Sequence, residues 1–294
     1  MPSEKESSEV CPPPLLWQDV RREFLAQSQL RSIDSSAGPF SVRVWGDGPA
    51  LYLLPGFSCP AELYCLLVWL LRNDFQCVTV ESTGEHRWSI NDLAESLRNV
   101  ADALEHNSFS VLGANFGAAW GLAAARRMPR QISRLLLLQG FARRRLSFAE
   151  RMLARLCRFS SGSLKSFPGR VMFQTQNHRR WFPPFDPSRW QYFLDATGEM
   201  PLRELSRRAA AIARFDLRSE LSGMAVPTLL VRTEGEGQTA AEGQIELERL
   251  LPRAEVEWLH TTGQLPYLTH PHRLAKLIRT FCAVGSAEAV QPAV

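Results

Sequence analysis

The chain has 294 residues, 45% of them hydrophobic and 22% charged, a balance ordinary for a soluble globular protein and outside the disordered and collagen-like classes. That length holds one large α/β domain with an insertion, or two small domains. The formal net charge is +4, and 31 of the 34 basic residues are arginine, a usage that a GC-rich genome accounts for.

In chain order, residues 1–14 are polar and end in Pro12-Pro13-Pro14, which predicts a disordered tail. No apolar run marks a secretory signal there. The longest apolar stretch, Leu63 to Leu71, is too short to span a bilayer, so a cytoplasmic location is the expectation. Trp17 to Gln29 reads as an amphipathic helix. Phe40 to Trp45 alternates and reads as a strand, closed by the turn Gly46-Asp47-Gly48-Pro49. Ala50 to Leu54 is a buried strand, followed by Pro55-Gly56-Phe57. Leu63 to Leu71 is a helix and Gln76 to Val80 a strand. Leu93 to Leu104 has apolar residues at helical spacing, with Asn91 as its N-cap. Phe109 to Leu112 is a strand, Trp120 to Arg127 an Ala-rich helix, and Ile132 to Leu138 the next strand. Val226–Val231 and Val256–Leu259 add two strands, Leu274–Phe281 a closing helix, and residues 285–294 a loose tail. Strands alternating with helices predict an α/β fold, a mostly parallel sheet flanked by helices.

One segment breaks the alternation. Residues 141–214 contain no clear strand, and carry fifteen basic residues against five acidic ones with aromatics interleaved. This predicts an inserted, arginine-rich helical cap over a core made of residues 15–140 and 215–284. Such a surface attracts a nucleic acid, an anionic lipid or a phosphorylated ligand. Alternatively its arginines pair with the acidic remainder or face water. The chain has no specific nucleic-acid motif. The six cysteines show no C-x-x-C spacing and no clustering with histidine, which points to free thiols without a metal site.

The most informative stretch is Gly113-Ala114-Asn115-Phe116-Gly117. It has the frame of a nucleophile elbow, G-x-S-x-G, in which a buried strand turns sharply into a helix and exposes the middle residue. Here that residue is Asn115. A carboxamide has no hydroxyl proton to give up and its oxygen is a poor nucleophile. Pro55-Gly56-Phe57-Ser58 stands where the oxyanion loop belongs, so Phe57 and Phe116 are the expected donors of the two oxyanion N–H groups. Glu236 falls at the acid position after Pro227-Thr228-Leu229-Leu230-Val231. Gly263-Gln264-Leu265-Pro266 has the frame of the histidine position, with Gln264 in place of histidine. Glutamine cannot shuttle a proton. With nucleophile and base both replaced by neutral amides, triad chemistry is not expected. The other histidines read as surface or capping residues.

At these residues the chain resembles the α/β-hydrolase superfamily from about Phe40 to Phe281, in the superfamily's motif order. Within it, the stretches Leu53-Leu54-Pro55, Leu112-Gly113-Ala114 and Thr262-Gly263-Gln264-Leu265-Pro266-Tyr267-Leu268 resemble the maspardin-type proteins, regarded as non-catalytic and protein-binding. Those proteins also carry an amide at the histidine position but keep a serine at the elbow, which this chain lacks. The resemblance implies a catalytically inactive scaffold with vestigial triad positions Asn115, Glu236 and Gln264. Its ligand pocket would be lined by Phe57, Asn115, Phe116 and Gln264, and would take a protein partner or a small carbonyl-bearing ligand. No cofactor is implied. A serine-independent hydrolase or lyase, and an anion or membrane-surface binder acting through the cap, are the alternatives.

Overall fold

The computed structural model describes residues 16–84 and 86–288. The tail expected over 1–14 lies outside them, as does Cys11. Helix α1 (Trp17–Gln27) precedes β1 (Gln29–Ile33), β2 (Phe40–Trp45) and β3 (Ala50–Leu54). Then follow α2 (Cys65–Leu71), β4 (Gln76–Ser82), α3 (Ile90–Ala103), β5 (Phe109–Ala114), α4 (Phe116–Arg127) and β6 (Ile132–Leu138). Four helices come next: α5 (Phe148–Cys157), α6 (Arg170–His178), α7 (Pro187–Gly198) and α8 (Leu202–Arg214). β7 (Thr228–Gly235), α9 (Gln238–Leu250), β8 (Ala254–Gly263), the short α10 (Pro266–Thr269) and α11 (Pro271–Glu288) complete the chain.

The eight strands form one sheet in the order β1-β2-β4-β3-β5-β6-β7-β8. β1, β2 and β4 pair antiparallel, and β3 to β8 pair parallel. This is the mostly parallel sheet flanked by helices that the alternation predicted. Side chains alternate across the pleat. Tyr52, Val111 and Leu137 join the core under α3 and α4, whereas Leu51, Leu53, Leu112 and Leu138 join the core under α2 and α11. Both faces are therefore covered, and β3 and β5 are buried along their whole length.

Several boundaries differ from the sequence reading. β1 was absent from it, because four of the five residues are exposed and only hydrogen bonding to β2 makes them a strand. α9 was missed because only Gly243, Gln244 and Leu247 are buried, too sparse an apolar pattern to show at helical period. α3 starts earlier than Leu93, and its N-cap is Ser89 rather than Asn91. Ser89 Oγ accepts from the Asp92 amide while the Asp92 carboxylate accepts from the Ser89 amide, a reciprocal capping box. α11 runs on to Glu288, through the first residues of the tail expected to be loose.

The four helices between β6 and β7 are unevenly anchored. α7 buries Tyr192, Phe193 and Leu194, and α8 buries one full face including Glu204, Arg208 and Ile212. α5 buries no residue.

Candidate functional site

β5 ends at Ala114 and α4 starts at Phe116, so a single residue, Asn115, makes the turn. Its backbone is held at φ 51° and ψ −104°, a left-handed conformation that costs on the order of 1–3 kcal/mol for a residue with a Cβ. The close approach on either side explains the flanking glycines. A methyl on Gly113 would strike the Gly117 carbonyl, and a methyl on Gly117 would strike the Leu54 carbonyl. The Asn115 amide N–H donates to the Leu138 carbonyl at 2.8 Å, and its carbonyl accepts from Ala118 and Ala119. The geometry of an elbow is thus retained around a residue that is not a nucleophile. The side-chain Oδ1 is buried and has no hydrogen-bond partner among the described residues.

Gln264 sits beyond the end of β8, on the same cavity wall as Asn115. Its Nε2 donates to the backbone carbonyl of Glu236 at 3.0 Å. Its own backbone carbonyl accepts from Gln139 Nε2 at 2.6 Å. Gln139 follows β6 with φ 51°, and the sequence reading overlooked it. The signal available was a polar residue directly after the buried run Leu135–Leu138, at the strand end where α/β sites collect. Together the two glutamines tie the loops after β6, β7 and β8.

Glu236 is buried beside Gln264, but its carboxylate does not face residue 264. Oε1 accepts from Arg232 Nε at 2.6 Å, and Oε2 faces the Thr233 amide at 3.5 Å. Burial pushes the carboxyl above its ordinary value, and the Arg232 guanidinium draws it partly back. Arg232 in turn lies over the Trp258 ring at 4.7 Å. A catalytic acid orients a base through its carboxylate; here the contact between positions 236 and 264 runs through a backbone carbonyl instead.

Asn115, Gln139, Glu236 and Gln264 line one cavity of about 730 Å³, with Arg143, Arg144 and Arg145 and the uncapped first turn of α9 on the same walls. Among the described residues, no histidine lines it. Phe57 and Phe116 do not line it either, contrary to the expected four-residue pocket. The Phe116 ring is buried between Trp88 and the Arg208 guanidinium, with centroid distances of 5.7 and 5.3 Å. Phe57 packs towards Met200, Leu202 and Leu205. The reason is a buried residue of α8. Arg208 donates through Nη1 to the carbonyls of Gly56 at 2.7 Å and Phe57 at 3.0 Å, and through Nε to Glu204 at 2.8 Å. It fixes the loop after β3 from the carbonyl side and draws both aromatic rings with it. The amides of Phe57 and Phe116 have no recorded acceptor among the described residues.

A second contact joins the inserted helices to the sheet. The Trp181 indole rests on Gly235 and Gly263 at the ends of β7 and β8, where a methyl on either glycine would collide with the ring. The six histidines include His106, which bridges the Tyr52 hydroxyl at 2.8 Å and Gln76 at 2.6 Å. Cys59, Cys65 and Cys77 are buried free thiols, and burial pushes Cys65 up to about 12. Among the described residues, no group of three or more His, Cys, Asp or Glu could hold a metal ion. No described helix is long and apolar enough to cross a membrane.

No protein-family model matches the chain. It is 24% identical over 266 residues to strigolactone esterase D14 of Arabidopsis thaliana, covering 81% of this chain and 94% of that protein. It is 21% identical to a putative carbamate hydrolase, RutD, of Agrobacterium fabrum, over 78% of this chain and 91% of that one. Among solved structures, a thermophilic esterase from Thermogutta terrifontis superposes with a TM-score of 0.74 at 17% identity, over 87% of this chain and 98% of that one.

Proposed function

We propose that the chain, whose fold is that of the α/β-hydrolases, binds a ligand at the elbow cavity rather than hydrolysing one. The buried Oδ1 of Asn115, without a partner in a residue that lines the cavity, carries the reading. A buried acceptor without a donor costs on the order of 1–3 kcal/mol, a penalty that a bound ligand bearing N–H or O–H relieves. Because an amide presents donor and acceptor together, the matching ligand is a small carbonyl-bearing molecule that also donates, such as an acid or an amide. Arg145, exposed and without an acidic partner among the described residues, favours a negative charge at the rim. Gln264 and Gln139 then act as a brace that keeps the cavity open. This proposal of binding without turnover agrees with what the resemblance to maspardin-type proteins implies, and the engagement of the Glu236 carboxylate by Arg232 supports it further.

A serine-independent hydrolase is the second reading, favoured by the retained elbow geometry and by the esterase and hydrolase names of its relatives. Turnover of p-nitrophenyl acetate by the parent and by Asn115→Ala separates the two. Equal rates are expected. A parent rate at least about tenfold higher, on the order of 1.4 kcal/mol in barrier, overturns the binding-only reading.

A further inference from the structure

Large exposed apolar side chains concentrate between residues 148 and 185, where nine of the thirteen among the described residues fall. α5 carries the core of this patch. Its N-terminus is closed by a Ser147–Glu150 capping box, so it is a well-formed helix. Phe148, Met152, Leu156 and, just past its end, Phe159 recur at helical spacing along one side, with Phe148 71% and Phe159 80% exposed. The opposite side meets α8. Ala154 lines a groove with Ala209 and Ala210, and Cys157 packs against the Met200–Leu202–Leu205 cluster. The apolar side of α5 therefore points away from the protein. On α6, Val171, Met172 and Phe173 are exposed as well.

Arginines flank this ridge. A cavity of about 410 Å³ between α8, the end of α5 and the start of α3 is lined by Arg87, Arg158, Arg203, Arg207 and Arg214. The one acidic residue that lines it among the described residues, Asp92, is already occupied by Ser89. Arg207 pairs with Glu204 at 2.7 Å, whereas Arg87, Arg158 and Arg214 have no acidic partner among the described residues. The adjoining groove shares Arg158 and Arg214 and adds Arg151 and Arg155 from α5.

The two features together select the occupant. A soluble anion would satisfy the arginines and leave the apolar ridge in water. An apolar protein surface would cover the ridge and bury Arg87, Arg158 and Arg214 without counter-charges, at high cost. An anionic phospholipid surface meets both needs, because apolar side chains enter the headgroup–acyl boundary while arginines reach up to the phosphates. We propose that the inserted helices dock on an anionic phospholipid surface, with α5 lying in the interface and headgroup phosphate held in the arginine-lined cavity. Phe173 also lines the elbow cavity, so docking brings that cavity's rim to the interface. The proposal does not rest on what the elbow cavity binds.

The test is co-sedimentation of the full chain with vesicles of phosphatidylcholine alone and of phosphatidylcholine with phosphatidylglycerol. Binding to the mixed vesicles is expected to exceed binding to the neutral ones by about tenfold or more. Combining Phe148→Ser, Met152→Ser and Phe159→Ser should abolish it without changing the melting temperature, since all three side chains are exposed. Combining Arg158→Gln and Arg214→Gln should weaken it by about tenfold. Failure of the parent to sediment with phosphatidylglycerol vesicles overturns the proposal, as does a triple serine variant that binds like the parent. So does pyrophosphate binding by calorimetry that the triple variant retains in full while neither protein binds vesicles, which would mark a soluble-anion site. A dimer in sedimentation velocity that the triple variant dissolves, again with no vesicle binding, would assign the ridge to a second copy. Each of these failures leaves the ester-turnover result untouched.

Discussion

Replacing Arg208 with methionine removes the link between α8 and the loop after β3, and its cost follows from the contacts. The side chain is 2% exposed. Its loss leaves the Gly56 and Phe57 carbonyls without their donor and takes one of two arginines from Glu204. Breaking a buried ion pair from one side costs on the order of 3–5 kcal/mol. Glu204 keeps Arg207 at 2.7 Å, and methionine refills most of the volume over the Phe116 ring, so the lower end applies. The expected loss is about 3 kcal/mol in urea denaturation followed by tryptophan fluorescence. Arg207→Met is the control: same helix, same carboxylate partner, but partly exposed, with an expected loss of about 1 kcal/mol or less. Adding Glu204→Gln to Arg208→Met removes the stranded charge and should recover part of the stability. Amide exchange over residues 56–59 should accelerate in Arg208→Met and not in Arg207→Met. A loss no greater than the control's, with unchanged exchange in the loop, would refute the assignment of Arg208 as the brace of that loop.

Two further outcomes follow from single side chains. Burial against Phe193 lowers His178 to about 4 from the ordinary 6.5. The unfolded chain therefore takes up the proton first, and stability should fall as pH drops from about 6.5 towards 4, by up to about 3 kcal/mol. His178→Phe should flatten that limb, and an equal acid loss in both proteins would assign it to other groups. Restoring Asn115→Ser with Gln264→His should leave p-nitrophenyl acetate turnover at background, because the Glu236 carboxylate is held by Arg232. Adding Arg232→Leu should free it and raise turnover well above the double variant; full activity in the double variant would mean that Arg232 does not divert the acid.

The sheet was legible from residue order because its signals are local. Short apolar runs bounded by polar residues, such as Leu135–Leu138, suit buried strands, and the close-packed glycines at 113 and 117 suit a strand that turns directly into a helix. β1 and α9 were not legible, since one is a strand only through pairing with β2 and the other shows the core too few apolar residues. At the site, the sequence alone identified the amides Asn115 at the elbow and Gln264 after β8, because residue identities do not depend on folding. Where the polar groups point was decided only by tertiary structure. The Glu236 carboxylate turns to Arg232, Gln139 reaches the carbonyl of a residue 125 positions away, and Arg208 crosses 151 positions to hold the Phe57 carbonyl. For residues 141–214 the sequence likewise gave helices without strands but not which side of α5 meets the protein, and the structure turns its apolar side outward. Periodicity follows from the geometry of one segment, whereas the partner of a buried charge or an exposed face depends on where distant backbones come together.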